Sequence, residues 1–301
     1  MSGDYQIVPL ANGGNTLFSA RYGEKLHPGL GPAAEAELLY VRQLHLRERL
    51  SAQRAEFVVW DVGLGAAANA LAILRATREI AGELRLVSFD DTDEPLAFAL
   101  QHAAVLGYPA GYEPHLETLL RTRHAEFDHG KLRVRWEFRV GDFPSWLKER
   151  SLARSPETAA LPPHRTEPEA PHAICYDAFS PAKNPSMWTL PVFERLFHAL
   201  DPGRPCALTT YSRSTMIRAT LLLAGWTVGV GHATGRKEET TIAANARELI
   251  AEPLEARWLE RAARSDSAEP MREPRYARAP LAPATLAALR RRPQFSDSFT
   301  R

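Results

Sequence analysis

The chain has 301 residues, 45% of them hydrophobic, so it can bury a core of its own without disulfides or a structural metal. Lys and Arg number 37 against 36 Asp and Glu, and the net charge of +1 excludes a protein whose overall field attracts nucleic acid or membranes. The two cysteines stand in separate apolar runs without metal-ligand spacing, which predicts free buried thiols and no metal, and the lack of a signal peptide or an apolar span predicts a cytoplasmic location without membrane contact.

Residues 1–50 are predicted to form a small N-terminal extension. Two short alternating runs within residues 5–19 flank the turn sequence A-N-G-G-N, which is typical of a β-hairpin. From Pro32 onward, apolar residues recur at helical spacing with charges between them, and this predicts a helix that ends near Leu50.

Strands and helices are predicted to alternate through residues 51–246. Apolar runs bounded by turn residues predict seven strands, at 57–61, 84–89, 134–140, 172–176, 205–211, 226–230 and 239–244. Helical patterns are found at 66–76, 94–106, 187–200 and 215–223. The connection between the last two strands is too short for a parallel crossover, so this pair is predicted to be antiparallel.

This order of elements predicts a Rossmann-like α/β fold with a mostly parallel seven-stranded sheet that ends in an antiparallel hairpin. Such a plan is that of class I methyltransferases and differs from that of nicotinamide dehydrogenases. Five prolines make residues 151–171 a predicted insertion loop. Residues 247–301 hold 11 Arg and 8 Asp or Glu, and they are predicted to be an irregular, solvated tail, with a grip on an RNA backbone as the alternative.

The end of the first strand is the predicted cofactor site, because ligands of open α/β sheets bind outside the carboxyl ends of the strands. Gly63 and Gly65 let a ligand approach the backbone, and the helix that follows offers free N–H groups. The pattern G-L-G-A-A-A lacks the third glycine of a dinucleotide fingerprint, which argues against a phosphate-bearing ligand. S-adenosylmethionine carries no phosphate and is the favoured ligand.

Acidic residues follow the next two strands. Asp90 is placed to accept hydrogen bonds from both ribose hydroxyls, with Asp91 and Asp93 as alternatives, and Asp142 is placed to accept one from an adenine amino group. A single acid at a strand end is more often a surface or loop carboxylate. Three successive strand ends along one crevice favour the cofactor interpretation.

The most specific stretch of the sequence is D-A-F-S-P-A-K-N-P-S-M-W at residues 177–188, between an apolar strand and a helix. It resembles the motif D-G-F-A-P-A-K-N-P-x-M-W in the methyltransferase half of the bifunctional tRNA 5-methylaminomethyl-2-thiouridine biosynthesis proteins (MnmC-like) and in stand-alone members of that family. Residues 16–27 are similar to the family pattern T-L-x-S-x-x-Y-x-E-x-x-H, residues 31–36 to G-A-x-x-E-S, and residues 235–238 to the G-R-K-R-E element.

The first glycine loop is similar to the family sequence E-x-G-F-G-T-G-L-N-F, with Asp61 at the acidic position. Asn69 is retained, whereas Ala67 replaces a glycine. The resemblance implies S-adenosylmethionine as methyl donor and the anticodon region of tRNA, with its wobble uridine, as partner. The 55 residues from 247 to 301 are too few for a flavin domain, so no FAD is expected.

The resemblance also implies roles for individual residues. Asp177, at the mouth of the fourth strand, is the predicted catalytic residue and a cofactor contact; it would accept the proton of the reacting amine or hold the developing ammonium, the alternative being a turn cap. The predicted substrate-binding residues are Glu24, His27, Phe179, Lys183, Asn184, Tyr211, Arg236 and Lys237. For His27, packing or capping is at least as strong an alternative, and for Phe179 and Trp188 the alternative to base stacking is core packing. Lys183 and Asn184 could instead fix the loop, and Arg236 and Lys237 could be the charges of a solvated loop rather than phosphate contacts.

Three functions therefore remain open on the sequence. The favoured one is methylation of a 5-aminomethyl group on the tRNA wobble uridine. The others are methylation of a different amine, favoured by the near-neutral charge, and a nucleotide-binding module without catalysis, favoured by Ala67 alone.

Overall fold

A computed structural model describes residues 4–153, 169–234 and 238–295. The chain divides into two compact units. The first comprises Met1–Phe143, Pro171–Phe179 and His232–Glu238, and the second comprises Pro144–Ala170, Ser180–Gly231 and Glu239–Arg301.

The predicted N-terminal hairpin is confirmed. Strands β1 (Tyr5–Pro9) and β2 (Asn15–Ser19) pair antiparallel, with Val8 opposite Thr16. The two-residue strand β3 (Glu24–Lys25) adds to β2, also antiparallel. The hairpin thus becomes a three-stranded sheet of its own in the first unit.

The helix predicted up to Leu50 is divided into three pieces. Helix α1 (Pro32–Ala36) continues as a π-helix at Glu37–Arg42, and α2 (Leu46–Ala52) follows after a break. The break falls at His45, whose φ of 50° is left-handed and incompatible with a continuous α-helix. π-Helical turns are frequent at functional sites, and this one lies beside the candidate active site described below.

The main sheet of the first unit has the strand order β8-β4-β5-β7-β6. Its strands are β4 (Phe57–Val62), β5 (Gly82–Asp90), β6 (His124–His129), β7 (Leu132–Val140) and β8 (Ala173–Tyr176). The pairs β8·β4, β4·β5 and β5·β7 are parallel, whereas β6 lies antiparallel to β7. Every residue of β4 is buried, which explains its unbroken apolar run.

Four helices accompany this sheet in the first unit: α3 (Ala68–Thr77), α4 (Glu94–Gln101), α5 (Ala103–Leu106) and α6 (Glu113–Thr122). The helix predicted at 94–106 is therefore two helices, interrupted at His102. The sequence predicted neither α6 nor β6. In β6 only Ala125 is fully buried, so its residues, H-A-E-F-D-H, carry little apolar alternation.

The second unit contains the predicted antiparallel hairpin. Its regular elements are α7 (Phe143–Ala153), α8 (Leu190–His198), β9 (Ala207–Thr210), α9 (Thr215–Leu223), β10 (Thr227–Gly231) and β11 (Thr240–Ala244), with a 3₁₀ turn at Pro185–Trp188. Strand β11 pairs antiparallel with both β10 and β9. The predicted insertion at 151–171 begins within α7, and its residues 154–168 lie outside the described part of the chain.

The prediction of an irregular tail after Ala246 is wrong for residues 247–295. They form a 3₁₀ turn at Arg247–Leu249, helices α10 (Ala256–Ala262) and α11 (Pro283–Arg290), and a second 3₁₀ turn at Pro293–Phe295. The Gln294 side chain accepts a hydrogen bond from the Val228 N–H and donates one to the Val228 carbonyl. The sequence analysis predicted a solvated tail because of the many arginines. It overlooked the apolar residues Ile250, Leu254 and Trp258, which recur every four positions and are buried.

The fold-class prediction is confirmed: the protein is a mixed α/β structure, mostly parallel in the main sheet of the first unit and antiparallel in its last hairpin. Register brings the carboxyl ends of four parallel strands to one edge, since Val62 pairs with Phe89 and with Tyr176, and Asp90 with Val140. Within the described residues, no helix is long and apolar enough to cross a membrane.

Candidate active site

The glycine loop after β4 brings two strand ends into contact. Gly63 has a φ of 94°, and its N–H donates to the Phe89 carbonyl at 2.9 Å. A Cβ at this position would lie 2.7 Å from the carbonyl oxygen of Asp177, closer than real Cβ atoms come to backbone. Glycine is therefore required here both by its backbone conformation and by the approach of the Asp177 segment.

Asp90 closes the other side of the same loop. Its Oδ2 accepts a hydrogen bond of 2.7 Å from the Gly65 N–H, and its Oδ1 accepts one of 2.8 Å from the Asp91 N–H. Burial raises the pKa of the Asp90 carboxyl to about 7. The Asp90 side chain thus fixes the conformation of the glycine loop through the Gly65 N–H. Its contact with the ribose of the cofactor stays a prediction.

Ala67 begins helix α3 in a left-handed conformation, with φ of 63° and ψ of 17°. A residue with a Cβ costs roughly 1–2 kcal/mol in this conformation, which glycine would avoid. Because the side chain is fully buried, its methyl group offsets part of that cost by packing. The alanine is therefore compatible with the loop that the sequence predicted, although it replaces a glycine.

Asp177 lies directly after β8, and its backbone N–H donates to the Val62 carbonyl at 2.8 Å. Its side chain is 15% exposed. Oδ2 accepts a hydrogen bond of 2.8 Å from Asn69 Nδ2 and lies 3.8 Å from Nε2 of His27. Asn69 and His27, which the sequence analysis predicted in separate motifs, thus both lie against the Asp177 carboxylate.

Asp61 is fully buried on β4 and belongs to a short polar chain. Trp136 donates through Nε1 to the Ser88 hydroxyl, and this hydroxyl donates to Oδ2 of Asp61, both at 3.0 Å. Burial raises the pKa of Asp61 to about 8, and the charges of Asp177 and Asp90 act in the same direction. Neither Ser88 nor Trp136 was predicted from the sequence as a site residue.

Two buried oxygens in this cluster have no hydrogen-bond partner among the described residues, Oδ1 of Asp61 and Oδ1 of Asn69. Leaving such a group unsatisfied costs about 1–3 kcal/mol, so the pair indicates a place for a polar ligand group. S-adenosylmethionine fits this pair of acceptors, because its amino group carries N–H donors for such oxygens. Asp61 and Asn69 would hold the amino-acid part of the cofactor and Asp90 the ribose.

Substitution of Asp61 by Asn is expected to stabilise the cofactor-free protein near neutral pH. A buried carboxyl whose pKa is raised loses stability as pH increases from the unfolded value near 4 toward about 8, because the unfolded chain ionises first. The neutral amide escapes this loss, a gain of at most about 4 kcal/mol at pH 7, since pH 7 lies about three units above the unfolded pKa and each unit corresponds to about 1.4 kcal/mol.

Urea unfolding of Asp61→Asn and of wild type at pH 5 and pH 8, together with calorimetric titration of S-adenosylmethionine, measures both consequences. The expected result is a flatter pH dependence of stability with cofactor affinity weakened about tenfold or more. The exposed Asp128→Asn on β6 serves as control. An unchanged pH slope would refute the assigned environment of Asp61.

Tyr40 is a site residue that the sequence analysis missed. It lies on the π-helix, is 1% exposed, and its hydroxyl has no partner within ordinary hydrogen-bond geometry among the described residues. Burial, followed by the charge of Asp177, raises the pKa of this phenol well above its usual value. The helical pattern identified Tyr40 only as a core position; the sequence-level signal was a phenol at a buried position, where the hydroxyl needs a partner.

Phe179 forms part of an aromatic pair rather than standing alone. Its ring stacks on Tyr22 with centroids 4.0 Å apart and planes 18° from parallel. The Tyr22 hydroxyl donates to Asp91 at 3.1 Å, and Arg21 also contacts Asp91, at 3.3 Å. Both rings are half-buried, so the predicted stacking on a base remains a prediction.

The other predicted residues are less tightly tied to this cluster. In the first unit, Glu24 is half-buried on β3, and Asp142 is exposed after β7, beside Gly141, whose N–H donates to the Asp90 carbonyl at 2.8 Å. Arg236 and Lys237 lie outside the described residues.

Three predicted residues belong to the second unit. The Lys183 N–H donates to the Ser180 carbonyl at 2.9 Å, and Asn184 Oδ1 accepts from the Ser186 hydroxyl at 2.8 Å. Tyr211 packs edge-on against Trp188, with centroids 5.9 Å apart. Because Trp188 is fully buried, core packing is its role rather than stacking on a base.

The two cysteines, Cys175 and Cys206, are buried free thiols as predicted. Among the residues that the structure describes, no group of three or more His, Cys, Asp or Glu side chains is arranged to hold a metal ion.

Comparisons with known proteins identify the class of enzyme. A family model described as S-adenosyl-L-methionine-dependent methyltransferase matches residues 161–246, which include Asp177. The bifunctional tRNA 5-methylaminomethyl-2-thiouridine biosynthesis protein MnmC of Ralstonia nicotianae is 29% identical over 237 residues, covering 76% of this chain and 33% of that protein. The MnmC protein of Cupriavidus necator is 28% identical over 276 residues, covering 84% of this chain and 37% of that protein.

Among solved structures, MNMC2 from Aquifex aeolicus superposes with a TM-score of 0.67 at 24% identity, covering 96% of this chain and 84% of that one. This likeness confirms the fold. The chain spans about a third of the length of the curated relatives it matches. Together with the family model, the relatives identify the chain as an S-adenosylmethionine-dependent methyltransferase that resembles the methyltransferase half of MnmC proteins.

Proposed function

We propose that this methyltransferase transfers a methyl group to the amino group of a 5-aminomethyluridine, thiolated or not, at the wobble position of tRNA, giving 5-methylaminomethyluridine. The observation that carries the proposal is the Asp177 carboxylate, which begins the motif at 177–188 and lies among His27, Asn69 and the glycine loop. The names of the MnmC relatives support the choice of tRNA.

The chemistry requires an amine with a free lone pair. When bound, S-adenosylmethionine supplies a methyl group on positively charged sulfur, and the carbon–sulfur bond breaks toward sulfur as the nitrogen–carbon bond forms. An aminomethyl group arrives mostly as ammonium and must lose a proton first. Asp177, whose side chain is only 15% exposed, is the group of this chain that would accept that proton.

Placement of the amine supplies much of the rate of such an in-line displacement. Asn69 donates to Oδ2 of Asp177 at 2.8 Å and thereby limits the rotation of the carboxylate. The stacked rings of Tyr22 and Phe179 form an apolar surface within the same unit, a surface suited to the face of a uridine. The amine would then lie between a fixed carboxylate and the methyl donor.

A different amine is the second candidate, and the net charge of +1 favours it, since tRNA-binding proteins usually carry a basic surface. A protein of neutral overall charge can still bind tRNA through a local basic patch. On the basis of the tRNA substrate, we also propose a cytoplasmic location.

Transfer of labelled methyl groups from S-adenosylmethionine to intact tRNA, to nuclease-digested tRNA and to small primary amines distinguishes the two candidates. The tRNA should come from cells that lack the methylaminomethyl modification. We expect label in intact tRNA, with a rate that falls as salt is raised, because phosphate contacts are weakened by salt. Equal transfer to free amines and insensitivity to salt would favour the second candidate.

A further inference from the structure

His27 lies between two carboxylates on different elements. Its Nδ1 is 3.8 Å from Oε2 of Glu35 on α1, and its Nε2 is 3.8 Å from Oδ2 of Asp177 after β8. The side chains of His27, Glu35 and Asp177 are 12%, 17% and 15% exposed. Water therefore screens this alignment far less than it screens an ion pair on the surface.

The backbone holds His27 in this position. Its φ of 53° is left-handed, a conformation that costs a residue with a Cβ roughly 1–2 kcal/mol and that tends to persist where the surrounding structure fixes it. The fixing group is Glu35, whose Oε1 accepts the N–H groups of Gly29 and Leu30 at 2.5 and 2.8 Å. The loop that carries His27 is thus wrapped around the same carboxylate that faces its ring.

The charges around the ring favour an imidazolium. Burial by itself lowers the pKa of His27, but Glu35 on α1, Asp177 after β8 and Asp61 on β4 outweigh it, and the net shift is upward. The pKa of Glu35 is lowered, because its contacts with His27 and the two loop N–H groups outweigh the opposing effect of burial. The carboxyl groups of Glu35 and Asp177 therefore face the ring at its two different nitrogens, Nδ1 and Nε2.

We propose that His27, held by Glu35, is a positioning residue whose imidazolium pairs with the Asp177 carboxylate and orients it toward the acceptor amine, a role that rests on the function proposed above. His27 acts through Asp177 and does not itself take the substrate proton. Glu35, on α1, supports the ring of His27 from the side away from Asp177 through Nδ1.

Histidine titration by NMR tests the arrangement without any activity. With ¹³C-labelled histidine, the His27 signal is assigned by its loss in His27→Gln, among 10 histidines. We expect His27 to titrate above its ordinary value of about 6.5 in wild type, and to titrate lower by about one pH unit in Asp177→Asn and in Glu35→Gln. Titration at or below the ordinary value, or no change in either variant, would overturn the proposal.

The pH profile of kcat/KM for methyl transfer gives the second readout. In His27→Gln the acidic limb should move up by about one pH unit, because the site loses a positive charge that lies 3.8 Å from the carboxylate proposed to receive the proton. His45→Gln is the matched control, since His45 also has a positive φ, of 50°, but is exposed and outside the cluster. If His27→Gln lowers kcat but leaves the acidic limb of the pH profile at the same pH, the role of His27 is merely structural.

Failure of this inference is distinguishable from failure of the proposed function. If wild type transfers no methyl group to tRNA, the proposed function fails, whereas the NMR titration still decides the arrangement of His27. If wild type is active but the limb and the titration are unchanged in the variants, only the role of His27 fails.

Discussion

Asp177→Asn is expected to lower kcat for methyl transfer by about 10²–10⁴-fold, the usual contribution of a positioned acid or base. Asparagine keeps the shape of the side chain and still accepts the 2.8 Å hydrogen bond from Asn69 through its oxygen. It lacks the charge that attracts an ammonium and cannot take its proton at neutral pH. Single-turnover measurement with saturating tRNA and S-adenosylmethionine isolates this step.

Because Asp177 is also a predicted cofactor contact, cofactor affinity is measured alongside and should weaken by no more than about tenfold, the loss of about one hydrogen bond. The control is Asp128→Asn, an exposed acid on β6 in the same unit, which should retain wild-type kcat. Raising the pH should partly restore Asp177→Asn, since the amine then loses its proton to water. A variant with wild-type kcat at neutral pH would remove Asp177 from the mechanism.

Gly63→Ala is expected to destabilise the protein by about 3 kcal/mol, the sum of left-handed strain and forced overpacking. The added Cβ would stand 2.7 Å from the Asp177 carbonyl oxygen and 2.9 Å from its carbonyl carbon. Both are backbone atoms, so the Asp177 segment must move. Displacement of the carboxylate proposed to be catalytic by even part of an ångström should cost activity well beyond the loss of stability.

Gly111→Ala separates the two contributions. Gly111 has a φ of 84°, close to the 94° of Gly63, but a Cβ there meets nothing within 4 Å. It should therefore lose only about 1–2 kcal/mol and keep full activity in the folded fraction. Chemical denaturation and specific activity of both variants provide the comparison, and equal losses for the two would show that the Asp177 contact is not strained.

Local sequence signals were sufficient for the parallel strands of the first unit and for the edge where the site lies. The apolar run of β4, fully buried, and the glycines after it specify a strand and a sharp turn within a few residues. Parallel pairing then brings Asp61, Asp90 and Asp177 to one edge without any further information. These positions follow from periodicity and turn chemistry, which are properties of short windows.

The residues that support the carboxylates could not be predicted in the same way. Tyr40 is in a helical pattern where a buried tyrosine is ordinary, and its proximity to Asp177 depends on a π-helical turn. The contact between His27 and Glu35 depends on a left-handed backbone at a histidine. Ser88 and Trp136 meet Asp61 only through strand register. Each is a tertiary relation without a local sequence signature.

Weak amphipathicity accounts for the two larger errors of the sequence analysis, which concern strand β6 and residues 247–295. Strand β6 is an edge strand with one fully buried residue, so its alternation is too faint to stand out from a loop. Residues 247–295 look solvated because of their arginines, yet Trp258 and Leu289 are buried in the second unit. The composition of this segment correctly predicted that most of its charged residues are exposed. It did not predict which of its apolar residues are buried.

Mass spectrometry of tRNA nucleosides after incubation with the purified protein and S-adenosylmethionine tests the central claim most directly. The tRNA carries 5-aminomethyluridine, and Asp177→Asn is run in parallel. The expected result is conversion of this nucleoside to its N-methyl form with wild type and little or no conversion with the variant. Unmodified 5-aminomethyluridine after incubation with a protein shown to bind S-adenosylmethionine would contradict the account and assign the site to another amine.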